Sequence, residues 1–390
     1  MHRITVLILV LMVICHISFA SDVGKIWPSE KKIWVDPEFG YEITQWTNHD
    51  SLSWHVYFNI ESFVDESHAL IFSQRSGSTN LYKLDLDSGD MTQMTDETNL
   101  TGKIWHWPQH QTLWYLAGHT IVAMNTTTLE KRDVITLKTT PRSMTVTCDA
   151  QWIVVALDES KSQEQDKPVQ YLGPYIIYKI NAQTGEMIQI SPEYGYVIGH
   201  LQASPTDPEK ISYCWQHLYK DGDYPGIKGK TPLRIWWLDI NGKAGGPVGP
   251  QEFGLHRTHE FWFPDGSRIG YSARYQYGEN DGRQFLGSCK PDGSDNVMME
   301  APVLYSHSQM FKDLKHWVVD IYDGSVLTLL TVQDWNIEKV QPLFRHDSSW
   351  QGQASHPHPH FSPDGRCVLF STDKSGSAQV YTVRIGIGAK

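Results

Sequence analysis

A chain of 390 residues with 40% hydrophobic and 20% charged residues has an ordinary globular composition, which excludes a disordered, collagen-like or coiled-coil protein. The net charge is −11, from 33 Lys plus Arg against 44 Asp plus Glu, and no Lys/Arg run occurs. The basic footprint of a nucleic-acid binder is therefore missing, while an acidic small substrate held by local cations stays possible.

The chain opens on a predicted export signal over residues 1–20. Arg3 gives the positive start, Ile4 to Ile17 the apolar stretch, and Ser18-Phe19-Ala20 the small residues of a cleavage site. The mature chain is expected from Ser21, in the periplasm or secreted. The alternative is a retained anchor, but the apolar run is shorter than the roughly 20 residues a spanning helix needs, and no stable membrane insertion is expected after cleavage. Past Cys15, the cysteines Cys148, Cys214, Cys289 and Cys367 show no CxxC spacing. Their strand-like apolar surroundings favour buried free thiols over a disulfide framework.

Residues 21–390 read as one all-β domain. Thirty Gly, 20 Pro, 15 Trp and 18 Tyr are the mixture expected of many short strands. A polar turn followed by an apolar strand recurs at Asp65, Pro108, Asp149, Asp207, Asp265, Asp313 and Asp364, spaced by 41 to 58 residues. A second pattern, strand-turn-strand, recurs as Leu81 to Thr95, Tyr178 to Met187 and Trp236 to Gly242. Each unit thus offers about four strands, and seven such units arranged radially make a seven-bladed β-propeller. Tyr41 to Thr47 is a last strand without its unit, and Phe361 to Ile385 a unit without its last strand. The two are predicted to join and close the ring. Two stacked β-sandwiches are the competing architecture. Asp158 to Pro168 and Tyr219 to Pro232 are predicted loops over one face.

Chemistry concentrates in Gln353-Ala354-Ser355-His356-Pro357-His358-Pro359-His360. Proline keeps the residue before it extended, so His356 and His358 are predicted side by side as ligands of one metal, with the Gln353 amide oxygen in reach. Nitrogen and oxygen donors without thiolate favour Mn, Fe, Ni or Zn. His307 precedes a blade strand one repeat earlier, His259 and His200 do so in the two units before, and His55 in the first. A ring would gather them at one mouth of the channel; histidines bonding within their own blades are the alternative.

These residues resemble the oligogalacturonate lyases, a family of seven-bladed propellers acting on short pectin fragments. The resemblance rests on Arg345-His346-Asp347-Ser348-Ser349-Trp350, Gln353-x-x-His356-Pro-His358-Pro, Thr258-His259-Glu260-Phe261-Trp262-x-Pro-Asp-Gly, Ser306-His307 and Leu233-Arg234-Ile235-Trp236. It implies a divalent ion of the Mn²⁺ type on His307, Gln353, His356 and His358, His259 as the Brønsted base, and Arg234 at the substrate carboxylate. His55, His200 and His346 are expected against the substrate, an acidic oligosaccharide. The chain departs from the family in its export signal, in Cys214-Trp215-Gln216-His217, in the Tyr219 to Pro232 loop and at His360. The function expected is an exported, metal-dependent lyase acting by β-elimination, and the alternative is a non-catalytic scaffold resembling TolB.

Overall fold

All seven predicted turns lie between the first and second strands of successive sheets. The computed structural model describes residues 21–159, 174–195, 197–216, 234–249, 254–276, 278–303, 305–321 and 325–387. The predicted export signal over 1–20 and most of the two predicted loops lie outside them. Seven antiparallel sheets follow one another along the chain, and in each the strands neighbour one another in sequence order except where N-terminal strands join the first and last sheets. This is a seven-bladed β-propeller, and the stacked sandwiches are excluded. The first strands run over Ser53–His55, Leu100–Trp107, Ser143–Val146, Val197–Ala203, Leu255–Trp262, Tyr305–Met310 and His360–Phe361, and define blades 1 to 7. First strands of consecutive blades touch from blade 2 round to blade 7, so together they line the axis.

The predicted seam is present. Ile43, Thr44 and Gln45 pair with Val383, Thr382 and Tyr381, setting an N-terminal strand beside the last strand of the chain. The N-terminal segment goes further than expected. Lys32–Val35 adds a fifth strand outside that pair, and Ile26–Trp27 pairs with Met91–Gln93 at the outer edge of blade 1. Between these two strands Glu30 holds Arg75 of blade 1 at 3.1 Å and accepts the backbone N–H of Asn48. A strap of about twenty residues therefore stitches blade 1 to blade 7.

Alternation along each strand sends apolar side chains between neighbouring blades, where they interdigitate. Trp317 is the largest wholly buried side chain and meets Phe261 and Phe263 edge-on, at 5.6 and 5.5 Å between ring centroids. Trp317→Ala is expected to cost roughly 3–5 kcal/mol, measurable by denaturant titration. The four cysteines past the signal are free thiols, as their surroundings predict. Among the described residues no helix is long and apolar enough to cross a membrane.

Candidate functional site

A strand alternates its side chains across the sheet, and three of the first strands break that alternation at a histidine. In blade 4, Gly199 faces Cys214 and Gln202 faces Ser212. In blade 5, Thr258 faces Ser272 and Phe261 faces Gly270; in blade 6, Tyr305 faces Ile321 and Ser308 faces Val319. Each strand carries one residue too many, a β-bulge, and the bulges hold His200, His259 and His307. A bulge bends its strand and re-aims the side chain it carries. His200 and His259 pay for this with left-handed backbones, φ 49° and 52°, where a side chain is disfavoured.

His356, His358 and His307 converge from blades 7 and 6, with ligand nitrogens all within 4.8 Å of one another. His356 is extended as proline predicts (φ −75°, ψ 135°), but His358 turns left-handed (φ 45°), a correction to the expected straight segment. Their rings still lie 5.4 Å apart. His307 Nδ1 donates to Asp320 Oδ2 at 2.8 Å, while the His307 backbone N–H donates to Oδ1 at 2.7 Å. The tautomer is thereby set, with the lone pair on Nε2. Burial, then the neighbouring imidazoles, pushes His307 and His358 well below the ordinary histidine range. His358 Nε2 and His356 Nδ1 are buried without a hydrogen-bond partner. Neutral imidazoles with unused lone pairs are the donor set a divalent cation of intermediate softness accepts, so the residues fit a metal. Gln353 is exposed in a short 3₁₀ turn and lines the same cavity as His358.

Asp320 is the kind of outer partner that orients a ligand. Asp320→Asn is expected to weaken metal binding by about 10–100-fold, read by calorimetric titration with Mn²⁺.

Of the expected substrate contacts, His55 and His200 line the same cavity and His346 does not. His55 is buried, its Nε2 donating to the Pro357 carbonyl at 2.9 Å with Nδ1 beside Ser62, so it braces the peptide between His356 and His358. His346 is fully buried, with Nδ1 accepting the Ser348 N–H and its ring edge-on to Trp350. Trp350 in turn lies over His307 and His356. Both histidines support the cluster from behind. His360 faces away from it, against Glu61 at 3.2 Å and Gln309.

His259 adjoins the cluster, its ring 4.4 Å from that of His307. Its Nδ1 lies 2.8 Å from the Ser306 carbonyl, which can only accept, so Nδ1 carries the proton and Nε2 the lone pair. Burial, then His307 and His200, keeps this imidazole neutral. Behind it Glu260 is wholly buried, with His200 Nδ1 at 2.7 Å from one oxygen and Arg234 Nε at 3.6 Å from the other. Burial alone would raise the Glu260 carboxyl; the His200 imidazole and the Arg234 guanidinium beside it outweigh this and hold it far below the usual range. Cys214 completes a second group with His200 and Glu260, but Arg234 already supplies the positive charge there.

Tyr57, Glu260 and Asp320 escape sequence reasoning. Glu260 adjoins His259 and could have been marked by it. Asp320 is placed by strand register alone, and Tyr57 by its rings against His358 (4.6 Å), His200 (5.9 Å) and His307 (6.0 Å). Burial keeps the Tyr57 hydroxyl protonated far above neutral pH. Of these three, Tyr57 lines a cavity of about 430 Å³ that spreads over blades 1 to 4 and includes His55, His200, Gln353 and His358, while His259, His307, His356 and Arg234 lie outside its lining.

Comparison with known proteins gives concordant matches. The family model described as oligogalacturonate lyase covers residues 23–387. The chain is 24% identical over 381 residues to an oligogalacturonide lyase of Pectobacterium atrosepticum and to an oligogalacturonate lyase of Dickeya dadantii, in each case over 90% of this chain and 95% of the relative. Its fold matches that of an oligogalacturonate lyase solved in complex with manganese, with a TM-score of 0.80, 24% identity, and coverage of 93% of this chain and 98% of that one. It also matches an oligogalacturonate lyase from Vibrio parahaemolyticus, with a TM-score of 0.81, 20% identity, and coverage of 94% and 100%.

Proposed function

The chain belongs to the oligogalacturonate lyase family and is a lyase, and from that premise we propose that it cleaves short galacturonate oligomers, or a closely related uronate, by β-elimination. The observation that carries the reading is the fixed tautomer of His259, whose free Nε2 adjoins three neutral, convergent imidazoles.

The proton to be removed, on C5, lies alpha to a carboxylate and leaves reluctantly while that carboxylate keeps its charge. A divalent cation, with Mn²⁺ the first candidate, held by His307, His356 and His358 together with Gln353, would offset that charge as it delocalises. Arg234, steadied by Glu260, would supply a second cation for the carboxylate. His259 Nε2 takes the C5 proton, the C5–H electrons become the C4–C5 double bond, and the C4–O bond breaks towards the leaving sugar. In a galacturonate the two bonds lie on opposite faces of the ring, so a group other than His259 protonates the leaving oxygen. Tyr57, with its proton retained by burial, is the side chain of the cavity suited to that step. The apolar leader over residues 1–20 supports export, placing the substrate outside the inner membrane.

The test is ultraviolet absorbance of the conjugated, unsaturated product when the mature protein meets di- and trigalacturonate with Mn²⁺. A rise is expected. Reducing ends appearing with no absorbance change would mean hydrolysis and would sink the proposal.

A further inference from the structure

The cavity extends from the histidine cluster to blades 2 and 3, where Lys103 and Arg142 line it together with Gln353, His358 and His200. Blade 2 carries the largest of the first-strand bulges. Leu100 faces Ala117 and Ile104 faces Tyr115, so Thr101, Gly102 and Lys103 stand against Leu116 alone. The device that aims His200, His259 and His307 in blades 4, 5 and 6 thus aims Lys103 in blade 2. Arg142 immediately precedes the first strand of blade 3, and its Nη2 donates to Gln216 Oε1 at 3.0 Å. Gln216 owes its place to Gly199, where an added Cβ would come within 2.6 Å of the Gln216 amide carbon.

Neither cation has a carboxylate partner among the described residues; Arg142 bonds a neutral amide, and the charge that bears on Lys103 is that of Arg142, of its own sign. Two partly unsatisfied cations on one wall are unusual in a chain of net charge −11. Lys103 is half-buried and Arg142 exposed beside it, and two like charges on one wall are what a carboxylate from solution would bridge by charge-assisted hydrogen bonds. Beside them Trp54, half-buried and stacked on Phe72 at 5.3 Å, lines the cavity with an aromatic ring of the kind that sugar C–H groups cover.

We propose that Lys103 and Arg142 form a second carboxylate site, which binds the uronate residue adjoining the one that reacts. The inference rests on the lyase reading above and adds to it that the enzyme measures its substrate by the charge of a neighbouring residue. It predicts discrimination against oligomers whose adjoining carboxylate is methyl-esterified, since an ester keeps the shape and loses the charge.

The experiment compares trigalacturonate with its ester at the adjoining residue, using the wild type, Lys103→Met, Arg142→Met and the double variant. For trigalacturonate each single change is expected to raise KM about tenfold, the equivalent of one charge-assisted hydrogen bond, with the effect carried by KM rather than kcat. Lys103→Arg should restore much of it, which a folding defect would not allow. The ester should cost the wild type a similar factor and the double variant almost nothing. Unchanged KM in the Met variants, or equal discrimination by the wild type and the double variant, overturns the proposal. Calorimetric binding of saturated trigalacturonate to His259→Ala, with and without the Lys103→Met and Arg142→Met changes, reads the subsite without turnover. Absence of elimination by the wild type while that affinity still falls would sink the lyase mechanism and keep the subsite; equal affinities would sink the subsite.

Discussion

His259→Ala is expected to lower kcat for trigalacturonate by about 10²–10⁴-fold, the usual worth of a well-placed general base. The basis is positional. A bulge and a left-handed backbone hold the ring beside His307, and the Ser306 carbonyl leaves it one lone pair, on Nε2. Alanine keeps the left-handed backbone and its strain, which only glycine would relieve, so the melting temperature of the variant is measured beside its activity. The change should fall on kcat, with Mn²⁺ affinity kept within about threefold, because His259 is outside the cluster of convergent nitrogens. Both are measured on one preparation, by steady-state kinetics and by calorimetry. A variant that binds metal normally and still turns over within tenfold of wild type would remove His259 from the chemistry.

Chelation, and equally His358→Ala, should abolish turnover and also lower the melting temperature. His358 is 3% exposed and its Nε2 lacks any partner within the protein, so a cation satisfies a buried group that the apo protein leaves unpaired. Since the unfolded chain lacks the site, metal at 100 times its Kd adds about 2.7 kcal/mol to stability. EDTA should withdraw that increment from the wild type and leave His358→Ala unmoved. The alanine variant should bind metal at least 100-fold more weakly, exceeding the about 10–100-fold that loss of an outer partner costs. Elemental analysis supplies the independent readout. A melting temperature indifferent to EDTA in a wild type shown to contain metal would contradict the assignment of these ligands.

What the sequence disclosed follows from where each signal is stored. The seven turns are local, written in Asp, Pro and Gly at fixed distances from an apolar strand, and all seven proved to join first and second strands. The histidines were legible as a recurring phase, but their aim was not, because a bulge arises from pairing between strands and has no short-range marker. The proline argument placed His356 and failed for His358, whose neighbours on blades 1 and 6 override the local preference. His55 and His346 shared the phase or the motif of the site residues and differ from them in what their ring nitrogens meet, the Pro357 carbonyl and the Ser348 N–H, a property only the packed structure assigns. Asp320, which sets the His307 tautomer, lies on the strand that follows, and Glu260 meets His200 and Arg234 from the neighbouring blade, so strand pairing and blade packing place them and no local motif marks them. Membership of a lyase family removes the reason for preferring a non-catalytic scaffold.

The N-terminal strap has a bearing on the order in which the molecule can be made. Residues 26–45 precede the other blade strands, yet their partners on one side, Val383 to Tyr381, belong to the last strand among the described residues. Until that strand is made the ring is an open arc with two unpaired edges, and each blade but the seventh can form as a separate local unit. The nascent chain thus stays linear and threadable for almost its whole length and becomes a closed, topologically sealed body in one terminal event.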